Sequence, residues 1–179
     1  MTDHEAVTAT WPPAPIRTER LVLRASEARD RTAFVELFSS PEVGTYVGGA
    51  RPREELDRAM PRVPGQRFGL FVVELDGEMV GVITLDRRGK ERRGRVRPEG
   101  DEVELGYLLL PEAWGRGYAS EACAGALDWV AGALPGEPVV LTTQSANGRA
   151  VRLAEKLGFV EVERFEEYGA EQWFAVRRA

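Results

Sequence analysis

Pro111-Glu112-Ala113-Trp114-Gly115-Arg116-Gly117-Tyr118-Ala119-Ser120-Glu121-Ala122 is the stretch that decides how this chain folds. The apolar run ahead of it, Glu104-Leu105-Gly106-Tyr107-Leu108-Leu109-Leu110, reads as a strand, and the residues behind it repeat with helical spacing. A strand that feeds a glycine-rich turn at a helix N-terminus makes an anion site. The first helical amides lack internal acceptors, the helix dipole favours negative charge, and glycine lets the main chain approach phosphate oxygens without a Cβ in the way. Gly115 and Gly117 are therefore expected to hold a phosphorylated cofactor.

Around that turn the chain alternates strands and helices. A first strand is expected over 20–25, a helix over 28–39 carrying Phe34, Leu37 and Phe38 on one face, and a more polar helix over 52–60 with Pro52 in its first turn. Strands over 68–75 and 79–85 meet at Asp76-Gly77, a strong hairpin signal. Residues 86–101, rich in charge and glycine, read as a long connection before the strand over 102–110. In the helix after the turn, Ala119, Ala122, Cys123, Ala126, Leu127 and Val130 form one apolar stripe. A buried strand over 139–143 follows. Asn147 then caps a helix that runs to Leu157 and stops at Gly158. Two last strands, near 159–165 and 171–177, share a turn at Tyr168-Gly169.

At 179 residues, 43% hydrophobic and 30% charged, the chain is expected to form one soluble α/β domain with a substantial core. No window approaches the ~18 unbroken apolar residues of a membrane span. Residues 1–16 contain Trp11-Pro12-Pro13-Ala14-Pro15 in place of a secretory hydrophobic core, and read as a flexible lead-in to a domain over 17–179. The single cysteine, Cys123, excludes an intramolecular disulfide and suits a cytoplasmic setting. The single histidine, His4, lies in the lead-in, which removes a histidine-based triad and any multi-histidine metal site. A net charge of −5 does not point to wholesale nucleic-acid affinity.

An isolated G-x-G is often only a tight turn. A dinucleotide site would need a third glycine where Ser120 stands, and an acidic end to the next strand, which here closes on Thr143-Gln144. A P-loop would need Gly-Lys-Ser/Thr, which is absent. The segment instead resembles the acetyl-CoA motif of the GCN5-related N-acetyltransferase (GNAT) superfamily, and most the RimJ/RimL-type branch of ribosomal-protein alanine N-acetyltransferases. Arg17-Thr18-Glu19-Arg20-Leu21-Val22-Leu23-Arg24 resembles that branch's opening strand, Glu104-Leu105-Gly106-Tyr107 its fourth strand, and Asn147 through Phe159 its last helix and the strand beyond.

The resemblance implies a mixed, twisted sheet of about seven strands with about four helices, in which the fourth and fifth strands splay apart. It implies acetyl-CoA as co-substrate, no metal, and direct attack of a primary amine on the thioester within a ternary complex. The family's cofactor loop aligns as Trp114-x-x-Gly117-x-Ala119, so Trp114 replaces the usual Arg or Gln and the amides of Gly115 to Ser120 are expected to carry the phosphate. Arg116 and Tyr118 fall in the same loop, and Ser120 either adds a hydroxyl or serves the first helical turn. Leu108, Leu109 and Leu110 would pair with the pantetheine arm through main-chain groups, and an N–H near Leu109 would meet the thioester oxygen. Asn147 is the polar contact expected from the last helix, compatible with its capping role.

A primary amine is mostly ammonium at neutral pH, so a base must take a proton. Related enzymes use a glutamate on the fourth strand, here Glu104; Glu102 shares its face but lies nearer the variable connection. The acid side is weaker: Ala154 stands where many members carry tyrosine, and Ala150 where the branch often carries serine. Cys123 lies on the apolar stripe, which argues against an acyl-cysteine intermediate. Pro41-Glu42-Val43-Gly44-Thr45-Tyr46-Val47 resembles the branch's acceptor segment and makes Tyr46 a wall of that pocket. Glu166, Glu167 and Glu171 would favour a cationic acceptor if they face the cleft. The seven basic residues between Arg87 and Arg97 read as a solvated hairpin extension, or as an arm toward ribosomal RNA, an acidic protein or the 3′-phosphate of CoA. A homodimer and a non-catalytic acyl-CoA-binding or regulatory domain stay open at this point.

Overall fold

The computed structural model describes residues 10–178; His4 and the first part of the expected lead-in lie outside the described residues. Its strands are β1 (Ile16–Arg17), β2 (Leu21–Arg24), β3 (Leu70–Leu75), β4 (Glu78–Arg87), β5 (Val103–Leu109), β6 (Val139–Gln144), β7 (Val160–Glu167) and β8 (Ala170–Arg177). They form a single sheet in the order β1-β2-β3-β4-β5-β6-β8-β7. The helices are α1 (Arg31–Ser39), α2 (Pro41–Gly44), α3 (Arg53–Ala59), α4 (Tyr118–Ala133) and α5 (Gly148–Lys156).

The expected architecture holds, with one more strand and one more helix than about seven and about four. The extra strand is β1, which pairs Ile16 with Leu23 and Arg17 with Val22; the extra helix is α2, a single turn entered through Pro41 and capped by the Ser40 hydroxyl. Both are too short to carry a periodic signal. Because β1 is added in front, the family's splayed fourth and fifth strands are β5 and β6 here. Within the described part of the lead-in, Trp11 packs with ring-centroid distances of 4.9 Å to Phe68, 4.9 Å to Phe71 and 6.2 Å to Trp129.

Each face of the sheet is covered by the helix whose apolar stripe fits it. Ala122, Cys123, Ala126, Leu127 and Val130 of α4 are buried against Leu23, Phe71, Ile83, Leu105 and Trp173. Small side chains at the start of α4 bring it close to the strands. On the other face, Phe34 and Leu37 of α1 pack against Leu70, Val72, Val82 and Leu110. Each such large side chain contributes about 1.5–3 kcal/mol by burial. Alternation along β5 therefore sends Leu105 and Leu109 to α4, and Glu104, Gly106 and Leu108 to the α1 side.

Two hairpins turn as their sequences require. Asp76 and Gly77 have φ 50° and 84°, and Tyr168 and Gly169 have φ 55° and 76°, the twin left-handed residues of a two-residue hairpin loop. On the α1 side of the sheet, Arg24 donates to both oxygens of Asp30 at 2.8 Å and to Glu74 at 2.8 Å. The Asp30 side chain is 2% exposed. Burial alone would push its carboxyl pKa up, but the bonds from Arg24 and the Glu27 amide outweigh it and hold it below the ordinary value.

The connection after β4 is knit into the protein and does not project as a free arm. Arg88 is buried and donates to the carbonyls of Gly94 and Arg93 and to Glu104. Glu102 is buried as well and accepts the amides of Val96 at 2.8 Å and Arg97 at 3.0 Å. Burial raises its pKa, yet those amides bring it below the usual range. Arg87 binds Glu137 at 2.7 Å and Arg92 binds Glu167 at 2.6 Å. Much of the basic run is therefore spent inside the fold.

Candidate functional site

The feature that opens a site is how briefly β5 and β6 touch. Among the described residues they are the only parallel neighbours in the sheet, and they pair only through Val103 with Val139 and Glu104 with Val140. Beyond that point they diverge, leaving the far edge of β5 without a strand partner. A cleft of about 1090 Å³ lies there, lined on one side by Gly106, Leu108 and Leu109 and on the other by Leu141, Thr142 and Thr143.

Gly115, Gly117, Tyr118, Ala119 and Ser120 line one end of the cleft. Gly115 has φ 73° and Gly117, the residue that caps α4, has φ 82°, conformations that an L side chain resists. Trp114 lines the same end, and its indole N–H donates to the Leu109 carbonyl at 2.8 Å. Its side chain thus braces the turn against β5, a task the loop alignment does not reveal. Asn147 lines the cleft and caps α5, its Oδ1 accepting the Ala150 amide at 3.3 Å. Leu110 and Arg116 are not among the lining residues; the Leu110 amide is taken by the Val80 carbonyl at 2.8 Å. Two basic groups that the sequence reading passed over, Arg149 and Arg152, also line this end, and Arg149 lies 5.5 Å from the Trp114 ring. Their spacing with Asn147 at the start of a helix was the available signal.

Gly81 faces Leu109 across the β4–β5 ladder, and a Cβ there would run into the Leu108 carbonyl and stand 2.9 Å from the Leu109 Cα. Glycine lets β4 lie tight against the end of β5 that borders the gap. Gly81→Val is expected to destabilise the fold by about 1–3 kcal/mol. Urea denaturation measures this, and an unchanged midpoint would contradict it.

At the other end stand Phe34, Phe38, Tyr46, Val47 and Met60, with Glu42, Arg51 and Arg67 as its charged groups. Phe34 and Phe38 stack at 6.2 Å. Tyr46 lines the cleft, and its carbonyl accepts from Gln144 Nε2 at 3.3 Å, tying that loop to the end of β6. None of Glu166, Glu167 and Glu171 lines the cleft: Glu167 is held by Arg92, and Glu171 lies 3.4 Å from Arg164.

Glu104 stands one layer behind the cleft wall. Its Oε2 accepts from Arg88 and, at 2.8 Å, from the hydroxyl of Thr142, which itself lines the cleft; Arg92 lies 3.6 Å from Oε1. Ala150 lines the cleft, whereas Ala154 is fully buried in the core. Burial pushes the Cys123 thiol pKa up and, with Cys123 as a second contribution, the Tyr107 phenol up, so both stay protonated at neutral pH. Among the described residues no cluster of His, Cys, Asp and Glu could hold a metal, and no helix is long and apolar enough to cross a membrane.

A sheet parted at its one parallel junction, with a glycine turn and helix N-terminus beside the parting, defines the acyltransferase α/β architecture. A family model described as acetyltransferase (GNAT) domain matches residues 20–160, and the chain belongs to that family. The chain is 30% identical over 152 residues to YkkB of Bacillus subtilis strain 168, spanning 79% of this chain and 82% of that protein. A GNAT-family acetyltransferase structure from Bacillus anthracis superposes with a TM-score of 0.73 at 22% identity, covering 92% of this chain and 98% of the other. The structure of RimL, a ribosomal alpha-N-protein acetyltransferase, in complex with coenzyme A gives a TM-score of 0.70 at 16% identity over 92% of this chain and 98% of the other.

Proposed function

We propose that this acetyltransferase moves an acetyl group from acetyl-CoA to a primary amine by direct attack in a ternary complex. The observation that carries the reading is the two-residue β5–β6 pairing, which leaves a strand-wide gap leading from the glycine turn to an apolar pocket. Pantetheine laid in that gap meets the open edge of β5, and the pyrophosphate meets the free amides at the start of α4. The coenzyme A held by RimL, which shares this fold, supports the choice of cofactor. An N–H near Leu109 then faces the thioester oxygen where charge develops.

The amine loses its proton through the Thr142 hydroxyl, whose own proton passes to Glu104 Oε2 along the existing 2.8 Å hydrogen bond. The thiolate takes its proton from water, since Ala150 supplies no hydroxyl. The acceptor end fits an amine with an apolar body better than a polyamine, because Glu42 is its one lining carboxylate against Arg51 and Arg67. The RimJ/RimL-type resemblance makes a protein N-terminal amine the first acceptor to try, beside small amines. Ala150 favours a second reading, a domain that binds acyl-CoA without turnover.

A melting-temperature rise with acetyl-CoA is the expected result, and its absence would defeat both readings. Release of CoA with a panel of N-terminal peptides, amino acids and polyamines then separates an enzyme from a sensor.

A further inference from the structure

The glycine turn is held from behind by a residue that does not line the cleft. Arg20, between β1 and β2, donates from Nη1 to the Arg116 carbonyl at 3.0 Å and from Nε to Glu121 Oε1 at 2.7 Å. Its guanidinium lies 4.6 Å from the centre of the Tyr118 ring. The other Glu121 oxygen accepts from the Thr18 hydroxyl at 2.5 Å and from the Arg20 amide at 2.8 Å. A Cβ on Gly117 would stand 3.3 Å from Arg20 Nη2, so the guanidinium also sits directly beneath the residue that caps α4.

Two problems of an anion-binding turn are met by this one side chain. Gly115 and Gly117 flank Arg116, and a peptide between two left-handed glycines loses much freedom when it is ordered. The bond to the Arg116 carbonyl fixes that peptide plane, and with it the direction of the neighbouring amides. Glu121 is the acidic residue in the first turn of α4, beside the place where phosphate belongs. Its charge opposes an anion there unless a cation cancels it. Arg20 cancels it and, with Thr18, holds the carboxylate on the β1–β2 side of the helix.

We infer that Arg20 is a positioning residue for the phosphates of the acyl-CoA, setting the Arg116 peptide and neutralising Glu121. The inference rests on the acetyl-CoA reading above. Arg20→Ala is expected to raise KM for acetyl-CoA about tenfold while kcat stays within about twofold, because a charge-assisted contact that organises the cofactor turn is lost and the chemistry is not. The melting temperature should stay within about 2 °C, since the Arg20 side chain is 41% exposed and Glu121 keeps the Thr18 hydroxyl and the residue-20 amide, so the lost contact adds little stability. Adding Glu121→Gln to Arg20→Ala is expected to bring KM back to within about threefold of wild type, as the uncompensated carboxylate is then gone. Arg20→Lys, which keeps the charge without the fork, should fall between. Calorimetric titration with CoA reads the same order without an acceptor. If Arg20→Ala melts far below wild type, Arg20→Lys carries the comparison. Unchanged CoA affinity in both single variants, or a double variant no better than Arg20→Ala, overturns the inference. A wild-type protein that fails to bind CoA overturns the cofactor reading instead.

Discussion

Replacing Glu104 by alanine is expected to destabilise the protein by about 3 kcal/mol, the lower end of what removing one partner of a buried ion pair costs. The penalty falls on Arg88, whose side chain is 1% exposed and whose other bonds go to neutral acceptors, the carbonyls of Gly94 and Arg93 and the Thr142 hydroxyl. Without Glu104 its charge is left in the interior with no carboxylate bonded to it. Glu104 itself is 20% exposed, so water fills part of the space and keeps the loss from the top of the range. Urea denaturation with an unchanged slope measures it, and a loss below about 1 kcal/mol would contradict the assignment. Glu104→Gln keeps the shape and separates stability from catalysis. If the carboxylate takes the amine's proton, the rate falls and the acidic limb of its pH profile moves. If it only anchors Arg88, both stay as in wild type while the melting temperature drops.

Asp30→Ala is expected to cost about 3 kcal/mol by the same physics, because it strips the buried Arg24 guanidinium of its bidentate partner and leaves it Glu74 and, at 4.0 Å, the more exposed Glu27. The pair also sets an acid limit on the fold. The Asp30 and Glu102 carboxyls both lie below their ordinary values in the folded state, so the stability each adds is complete above the unfolded carboxylate range, near about pH 4. That stability is lost as pH falls through the depressed folded values. Urea midpoints at falling pH should therefore drop steeply in wild type and less steeply in Asp30→Asn. Parallel curves would show that Asp30 does not carry the acid sensitivity.

What was legible in the chain was whatever depends on neighbours close in sequence. The Asp76-Gly77 hairpin, the α4 stripe, the Asn147 cap and the glycine turn all rest on spacings of a few residues, and each appears where expected. What escaped are contacts between distant positions. Arg88 reaches Glu104 and Thr142, Trp11 reaches Phe71 and Trp129, and Arg20 reaches Arg116 and Glu121. No local pattern records that a run of arginines after β4 will find carbonyls and carboxylates inside the fold, so it reads as a solvated hairpin extension or a charged arm. Glu104 was legible as a residue of β5 on the face shared with Gly106 and Leu108. Its engagement with Arg88 was not, because the partner comes from the irregular connection that lacks periodicity altogether.

The brief contact between β5 and β6 has a mechanical side. Five strands from β1 to β5 and three from β6 to β8 make two antiparallel panels, whose main-chain pairing among the described residues is limited to the rungs at Val103 and Glu104. An extended ligand lying in the gap supplies rungs that the chain itself lacks, and so works as a staple between the panels. Resistance to opening along this seam then depends on occupancy as well as on the contacts that already cross it, the Thr142 hydroxyl on Glu104 and the core shared by Leu105, Leu141 and Trp173.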